Sequence, residues 1–244
     1  MKKKNINIMS GLEAKMKTKE QIQKRLKELE KKYNITILFA VESGSRGWKF
    51  ASEDSDYDIR GTYMYNDKTI YYRALEEEQI ELIEEDLDIS LWDVRKFWRL
   101  LRSSNPSISE WLKEDIVYVN KLDIISSINK EFDKKLDEIS LIKHYYSMAT
   151  QNYFKYIKGN SMVSYKKYLY ILRGIGCAEY IKKNHKRPPL DYKELEDMFP
   201  KKIWKKFDKI VSMKKNNEKY EAKSDKELDD FIVIKLMSEG IKIK

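Results

Sequence analysis

A small mixed α/β unit followed by an all-α half is the fold class that the sequence predicts, and three observations carry it. The short runs of β-branched and apolar residues that read as strands, among them Ile35–Val41 and Ile80–Ile83, fall before about residue 120. From Lys121 onward, apolar residues recur at helical spacing instead. The charge balance changes at the same place. Residues 1–120 hold 21 Lys+Arg and 22 Asp+Glu, a net of −1, and the remainder of this +9 chain therefore carries +10. With the boundary near Tyr118 to Asp123, the expected organisation is a tail over 1–17, a first unit over 18–120 and a helical unit over 121–244.

Taken in order, residues 1–17 are polar, basic and without a clear period. Thr18-Lys-Glu-Gln21 fits a helix capping box, Ile22, Leu26 and Leu29 fall on one face of the helix that follows, and Asn34 stops it. Ile35-Thr-Ile-Leu-Phe-Ala-Val41 reads as a buried strand that empties into Gly44-Ser45, where a glycine lets backbone N–H groups approach an anion. Asp56 and Asp58 follow, flanked by Tyr57 and Ile59. In a strand the period of two puts the two carboxylates on one face and Tyr57 and Ile59 on the other. Paired carboxylates beside a phosphate-accepting turn suit a divalent cation and a triphosphate, because Mg²⁺ is held by one or two carboxylates together with substrate phosphates. An EF-hand reading of Asp54, Asp56 and Asp58 fails, since Ile59 stands where that loop needs glycine and Tyr65 where it needs glutamate.

The strand from Asp58 runs on to Tyr65 and turns at Asn66-Asp67. Thr69–Tyr72 and Ile80–Ile83 read as further short strands. In Glu84-Glu-Asp-Leu-Asp-Ile-Ser90, Leu87 and Ile89 face the core and leave Asp86 and Asp88 opposite; periodicity does not choose between the two acids. Trp92–Leu101 is expected as an amphipathic helix with Val94, Phe97, Trp98 and Leu101 inward, and Asp93 as a charge in its first turn. Asn105-Pro106 opens the next helix, with Ile108, Trp111 and Leu112 packing. Beyond it lie helices from Lys121 through Asp137, Leu141 to Lys158, Ser164 to Asn184, Pro200 to Lys214 and Asp225 to Gly240, with Arg187-Pro-Pro-Leu190 as a loop. Lys166, Tyr170 and Arg173 share one face of the third of these, while Leu169 and Leu172 share the packed face. Lys201, Lys202, Lys205, Lys206 and Lys209 give the fourth a basic face.

The stretch Glu42-Ser-Gly-Ser-Arg-Gly-Trp-x-Phe-Ala-Ser-x-Asp-Ser-Asp-Tyr-Asp58 resembles the nucleotidyltransferases of the DNA polymerase β superfamily, and within it a bacterial and phage branch associated with RNA repair. Asn105-Pro-Ser-x-x-Glu-Trp-Leu112 resembles the same branch. The resemblance runs from about Ile35 to the C-terminus and implies a polymerase β-type nucleotidyltransferase domain with a small mixed sheet, followed by an all-α substrate-binding domain. It favours Asp88 over Asp86 as the third carboxylate, so that Asp56, Asp58 and Asp88 are the expected catalytic and metal residues, with two Mg²⁺ ions, or Mn²⁺, as cofactor. It further implies that Gly44 and Ser45, assisted by Arg46, hold the β- and γ-phosphates of an NTP such as ATP. Lys166, Tyr170 and Arg173 would then face the nucleotide across a cleft.

The implied activity is transfer of NMP to an acceptor hydroxyl with release of pyrophosphate, the chemistry of EC 2.7.7. The expected acceptor is an RNA 3′ end, tRNA included, which suits the basic helical half. A hydroxyl on a partner protein, as in antitoxin-type enzymes, is the alternative acceptor, and a non-catalytic nucleic-acid-binding module is the alternative to an enzyme. Composition narrows the setting. No apolar run reaches membrane-spanning length, and the lysine-rich start lacks the apolar stretch of a secretion signal. The single Cys177 permits no internal disulfide and suits the cytoplasm, and two histidines, His144 and His185, cannot assemble a zinc site.

Overall fold

The computed structural model describes residues 19–72, 78–218 and 221–241. The tail expected over 1–17 and the Thr18 cap lie outside the described residues. Helix α1 (Lys19–Tyr33) leads into strand β1 (Ile35–Glu42), with Asn34 between them at φ 50°, the left-handed residue that ends the helix. A one-turn helix α2 (Gly44–Gly47) follows, then β2 (Tyr57–Tyr65), β3 (Gln79–Glu84) and β4 (Leu87–Asp93). Helices α3 (Val94–Arg102) and α4 (Pro106–Trp111) lead to β5 (Val117–Asn120) and α5 (Ile124–Lys134). The rest is helical: α6 (Glu138–Tyr156), α7 (Lys166–Asn184), α8 (Lys201–Lys215) and α9 (Lys226–Ser238), with the two-residue strands β6 (Val163–Ser164) and β7 (Glu221–Ala222) paired between them.

The five longer strands form one mixed sheet in the order β3-β4-β2-β1-β5. Only β2 and β4 run parallel; the other pairings are antiparallel. A bulge in β1 between Ile37 and Phe39 flips the faces of that strand. Ile35 and Ile37 consequently pack with Ile22, Leu26 and Leu29 of α1, whereas Phe39 and Val41 pack on the opposite side with Phe97, Ile108 and Trp111. Gly61 of β2 sits against this bulge, where an added Cβ would come within 2.2 Å of the Phe39 carbonyl oxygen. A third apolar core joins α6, α7, α8 and α9, and it takes in Phe50 from the loop after α2, with Trp48 packed against it. These elements agree with the predicted mixed sheet followed by helices.

Four local expectations fail. Thr69–Tyr72 lies in a 3₁₀ helix (Lys68–Tyr72), not a strand: Asp67 accepts from the Thr69 N–H and hydroxyl and so starts a turn. Trp98 is not inward; it is 41% exposed, with Phe97 alone of α3 fully buried. The helix expected from Lys121 starts at Ile124, because Leu122 and Asp123 adopt positive φ. Ser164 belongs to β6, so α7 starts at Lys166. Asp93 caps α3, accepting from the Arg95 N–H.

Candidate active site

The site is built on the parallel pair β2–β4. Tyr57 pairs with Leu87, Asp58 with Asp88, Ile59 with Ile89 and Arg60 with Ser90. Ile59, Leu87 and Ile89 are buried, so the alternation of each strand sends Asp58, Arg60, Asp88 and Ser90 to the other face. One terminal nitrogen of Arg60 donates to Asp58 Oδ1 at 3.0 Å and to Asp88 Oδ2 at 2.8 Å, and the other donates to the Asp88 carbonyl at 2.8 Å. Burial pushes the Asp58 carboxyl above its usual range; Arg60 opposes that shift, while Asp88 and Asp56 add to it. Asp58 and Asp88 thus share one guanidinium, with Lys166 adding to the compensation at Asp58.

The turn before this pair is locked from below. Glu42, fully buried at the end of β1, accepts from the Asp58 N–H at 2.8 Å and from the Tyr118 hydroxyl at 2.6 Å. Gly44 has φ +59°, and a Cβ there would lie 2.1 Å from Asp58 Oδ2, so the Asp58 carboxylate occupies the space that a side chain would fill. Arg46 stacks its guanidinium 3.9 Å from the Tyr57 ring centre and donates to the carbonyls of Asp56 and Ser55, which fastens the acidic loop onto α2.

A cleft of about 1240 Å³ opens above these residues, lined by Gly44, Ser45, Asp56 and Asp58 on one side and by Lys166, Tyr170 and Lys214 on the other. Of the expected nucleotide ligands, Gly44, Ser45, Lys166 and Tyr170 are therefore brought to one cavity with Asp56 and Asp58, and Asp88 stands beside Asp58. Arg46 and Arg173 are placed otherwise. Arg173 is 3% exposed and donates to Glu110 Oε1 at 2.8 Å beneath the Trp48 ring, 4.2 Å from its centre. The same Glu110 accepts from Trp48 Nε1 and the Tyr145 hydroxyl, so this buried group ties α2, α4, α6 and α7 together. Burial raises the Tyr170 phenol to about 12, and Asp58 and Asp56 add to the shift. Cys177 is buried in α7 with its thiol pushed to about 12, which makes it unreactive.

Sequence reasoning missed Arg60, Glu42 and Lys214. Arg60 stood in plain view two residues past Asp58, on the same strand face, and period two was enough to find it. Lys214 carried no such signal: it comes from the far end of α8 and donates to Ser55 Oγ at 3.2 Å, with burial and Lys166 lowering its amine to about 8. Among the described residues, no three His, Cys, Asp or Glu side chains are gathered closely enough to cage a metal ion on their own. The donor set nevertheless fits a Mg²⁺ ion that completes its shell with substrate phosphates, since Asp58 and Asp88 are adjacent and carry more negative charge than Arg60 offsets.

The family match places this mixed sheet and its helical half in the DNA polymerase beta class. A family model described as the RNA repair pathway DNA polymerase beta family matches residues 18–242, and the chain belongs to that family. It is 40% identical over 178 residues to the uncharacterized protein YcgL of Bacillus subtilis (strain 168), covering 71% of this chain and 67% of that protein. A looser likeness, with a TM-score of 0.32 and 14% identity over 88% of this chain and 72% of the other, is to a nucleotidyltransferase-like protein from Exiguobacterium sibiricum 255-15. Among the described residues, no helix is long and apolar enough to cross a membrane.

Proposed function

We propose that this protein transfers NMP from an NTP to the 3′ hydroxyl of an RNA, with release of pyrophosphate. The observation that carries the reading is the side-by-side placement of Asp58 and Asp88 in parallel register, with Gly44 packed onto the Asp58 carboxylate. Asp56, Asp58 and Asp88 would hold Mg²⁺, which when bound neutralises charge on the phosphates and lowers the pKa of an attacking hydroxyl. Arg60 bridges the two strand carboxylates, holding them side by side and aimed, and its charge would be supplemented there by a bound cation. Gly44 and Ser45 contribute backbone N–H and hydroxyl donors at the start of α2 for the β- and γ-phosphates. Lys166 and Lys214 close the opposite wall with positive charge, and Tyr170 offers a ring on which a base can stack. Family membership supports the RNA acceptor, as does the excess of basic residues in the helical half.

The test is incubation with each α-phosphate-labelled NTP, Mg²⁺ and total RNA, comparing wild type with Asp58→Ala and Asp56→Ala. Label enters RNA with the wild type and not with either variant. Label in a protein band instead would transfer the acceptor to a polypeptide, and undiminished RNA labelling by Asp58→Ala would sink the assignment.

A further inference from the structure

From Ile139 to Ala178 the chain contains no aspartate or glutamate, although it holds Lys143, Lys155, Lys158, Lys166, Lys167 and Arg173. In a protein that is 36% charged, this is a long gap in one sign of charge. The structure folds the gap into the end of α6, the β6 turn and the start of α7, and there it interleaves lysines with aromatic rings. Lys167 Nζ lies 4.1 Å from the Tyr156 ring centre and 5.9 Å from that of Tyr170. Lys155 Nζ covers the same Tyr156 ring at 4.9 Å, and Lys158 Nζ covers Phe154 at 4.9 Å.

The strip starts inside the cleft, at Tyr170, and runs outward over Tyr156 to Phe154, which is 40% exposed. Among the described residues, Lys155, Lys158 and Lys167 form no ion pair; each sets its ammonium over an aromatic ring, with Lys155 exposed and Lys158 and Lys167 half-buried. Glu221, paired across from Ser164, flanks the cleft end of the strip. Alternating cations and ring faces suit one ligand chemistry: a phosphodiester backbone whose bases are unpaired. Phosphates take the ammonium groups, and a base face takes an aromatic ring, which only a single strand can present.

We infer that the acceptor RNA leaves the active-site cleft as a single strand along Tyr170, Lys167, Tyr156, Lys155 and Lys158. This deepens the transfer reading proposed above by giving the acceptor a path. It takes polarity with it: the 3′ end sits at Asp58 and Asp88, and the upstream nucleotides lie on the end of α6.

The experiment is a fluorescence anisotropy titration of a short labelled single-stranded RNA, and of the same strand annealed to its complement, without NTP and across a salt series. Wild type, Tyr156→Ala and Lys155→Ala/Lys158→Ala/Lys167→Ala are compared, with Asp58→Ala as the catalytic control and circular dichroism to verify folding. The wild type binds the single strand more tightly than the duplex. Tyr156→Ala weakens single-strand binding about tenfold, the loss of one stacked base. The triple-lysine variant lowers the slope of log affinity against log salt by about 2, the release expected for three lost phosphate contacts on a single strand. Equal affinity for duplex and single strand, or wild-type behaviour of both strip variants, would overturn the path. The two readings fail separately, because binding is measured without transfer: an enzyme that labels no RNA can still show the strip, and one with no strip can still transfer.

Discussion

Asp58 and Asp88 stand directly opposite one another in the parallel β2–β4 register, and a single nitrogen of Arg60 lies within 3.0 Å of one carboxylate and 2.8 Å of the other. That nitrogen is the positive charge the two carboxylates share. Its partners are partly buried, so the arrangement keeps two like charges side by side.

Removing Arg60 should therefore make the fold lean on a divalent ion. In Arg60→Met the two carboxylates lose their shared donor, which costs about 1.5–3 kcal/mol for hydrogen bonds to a charged group. Added Mg²⁺ should restore more of the thermal midpoint in the variant than it adds to the wild type, as measured by differential scanning fluorimetry. An identical Mg²⁺ response in both proteins would contradict the role of Arg60 as the shared positive charge.

Glu110 gives a second expectation. Its carboxylate accepts from Arg173, Trp48 and Tyr145, and both Glu110 and Arg173 are buried. Glu110→Ala leaves a buried guanidinium without a counter-charge, a loss of about 3–5 kcal/mol. Urea denaturation should show it, and Glu110→Leu combined with Arg173→Met should recover much of the stability, because the orphaned charge is gone. A double variant as unstable as Glu110→Ala would mean that packing, not charge, governs this junction.

Glu114 supplies a pH signature. Its carboxyl is buried without a hydrogen-bond partner among the described residues, and burial, with Glu110 adding to it, raises it from 4.5 to about 8. The folded state therefore holds the proton while the unfolded state has already released it. The stability that this protonated carboxyl contributes is complete below about pH 4.5 and is lost as pH rises toward 8. Glu114→Gln, neutral at every pH, should flatten that part of the stability profile and unfold at higher temperature than wild type at pH 8. Parallel profiles for the two proteins between pH 5 and pH 8 would refute the assignment.

Much of the sheet half was legible because its signals are local. Period two in Tyr57-Asp-Ile-Arg60 and Leu87-Asp-Ile89 sorts acids from apolar residues without knowing how the strands pair. Pairing itself is not local. That Asp58 meets Asp88, which periodicity could not distinguish from Asp86, depends on a parallel register closed only in three dimensions. Arg46 and Arg173 show the same limit from the other side: helical and loop position put each near the cleft, yet backbone carbonyls claim one and Glu110 the other. Trp98 misled because its spacing from Phe97 and Leu101 suits an inward face, while the sheet surface beneath α3 is already filled by Phe97. The short strand β5 escaped because Val117–Asn120 is too brief to show a period.

Phe50 lies in the loop that carries Ser52, Ser55 and Asp56, yet it is buried among residues of α6, α7 and α8. The acidic loop is thus nailed at its middle into a core that the sheet does not build. Synthesis from the N-terminus completes β1, β2 and β4 long before that core exists, so the loop waits for its anchor. The acidic loop is therefore fixed in place only after α6, α7 and α8 have folded around Phe50.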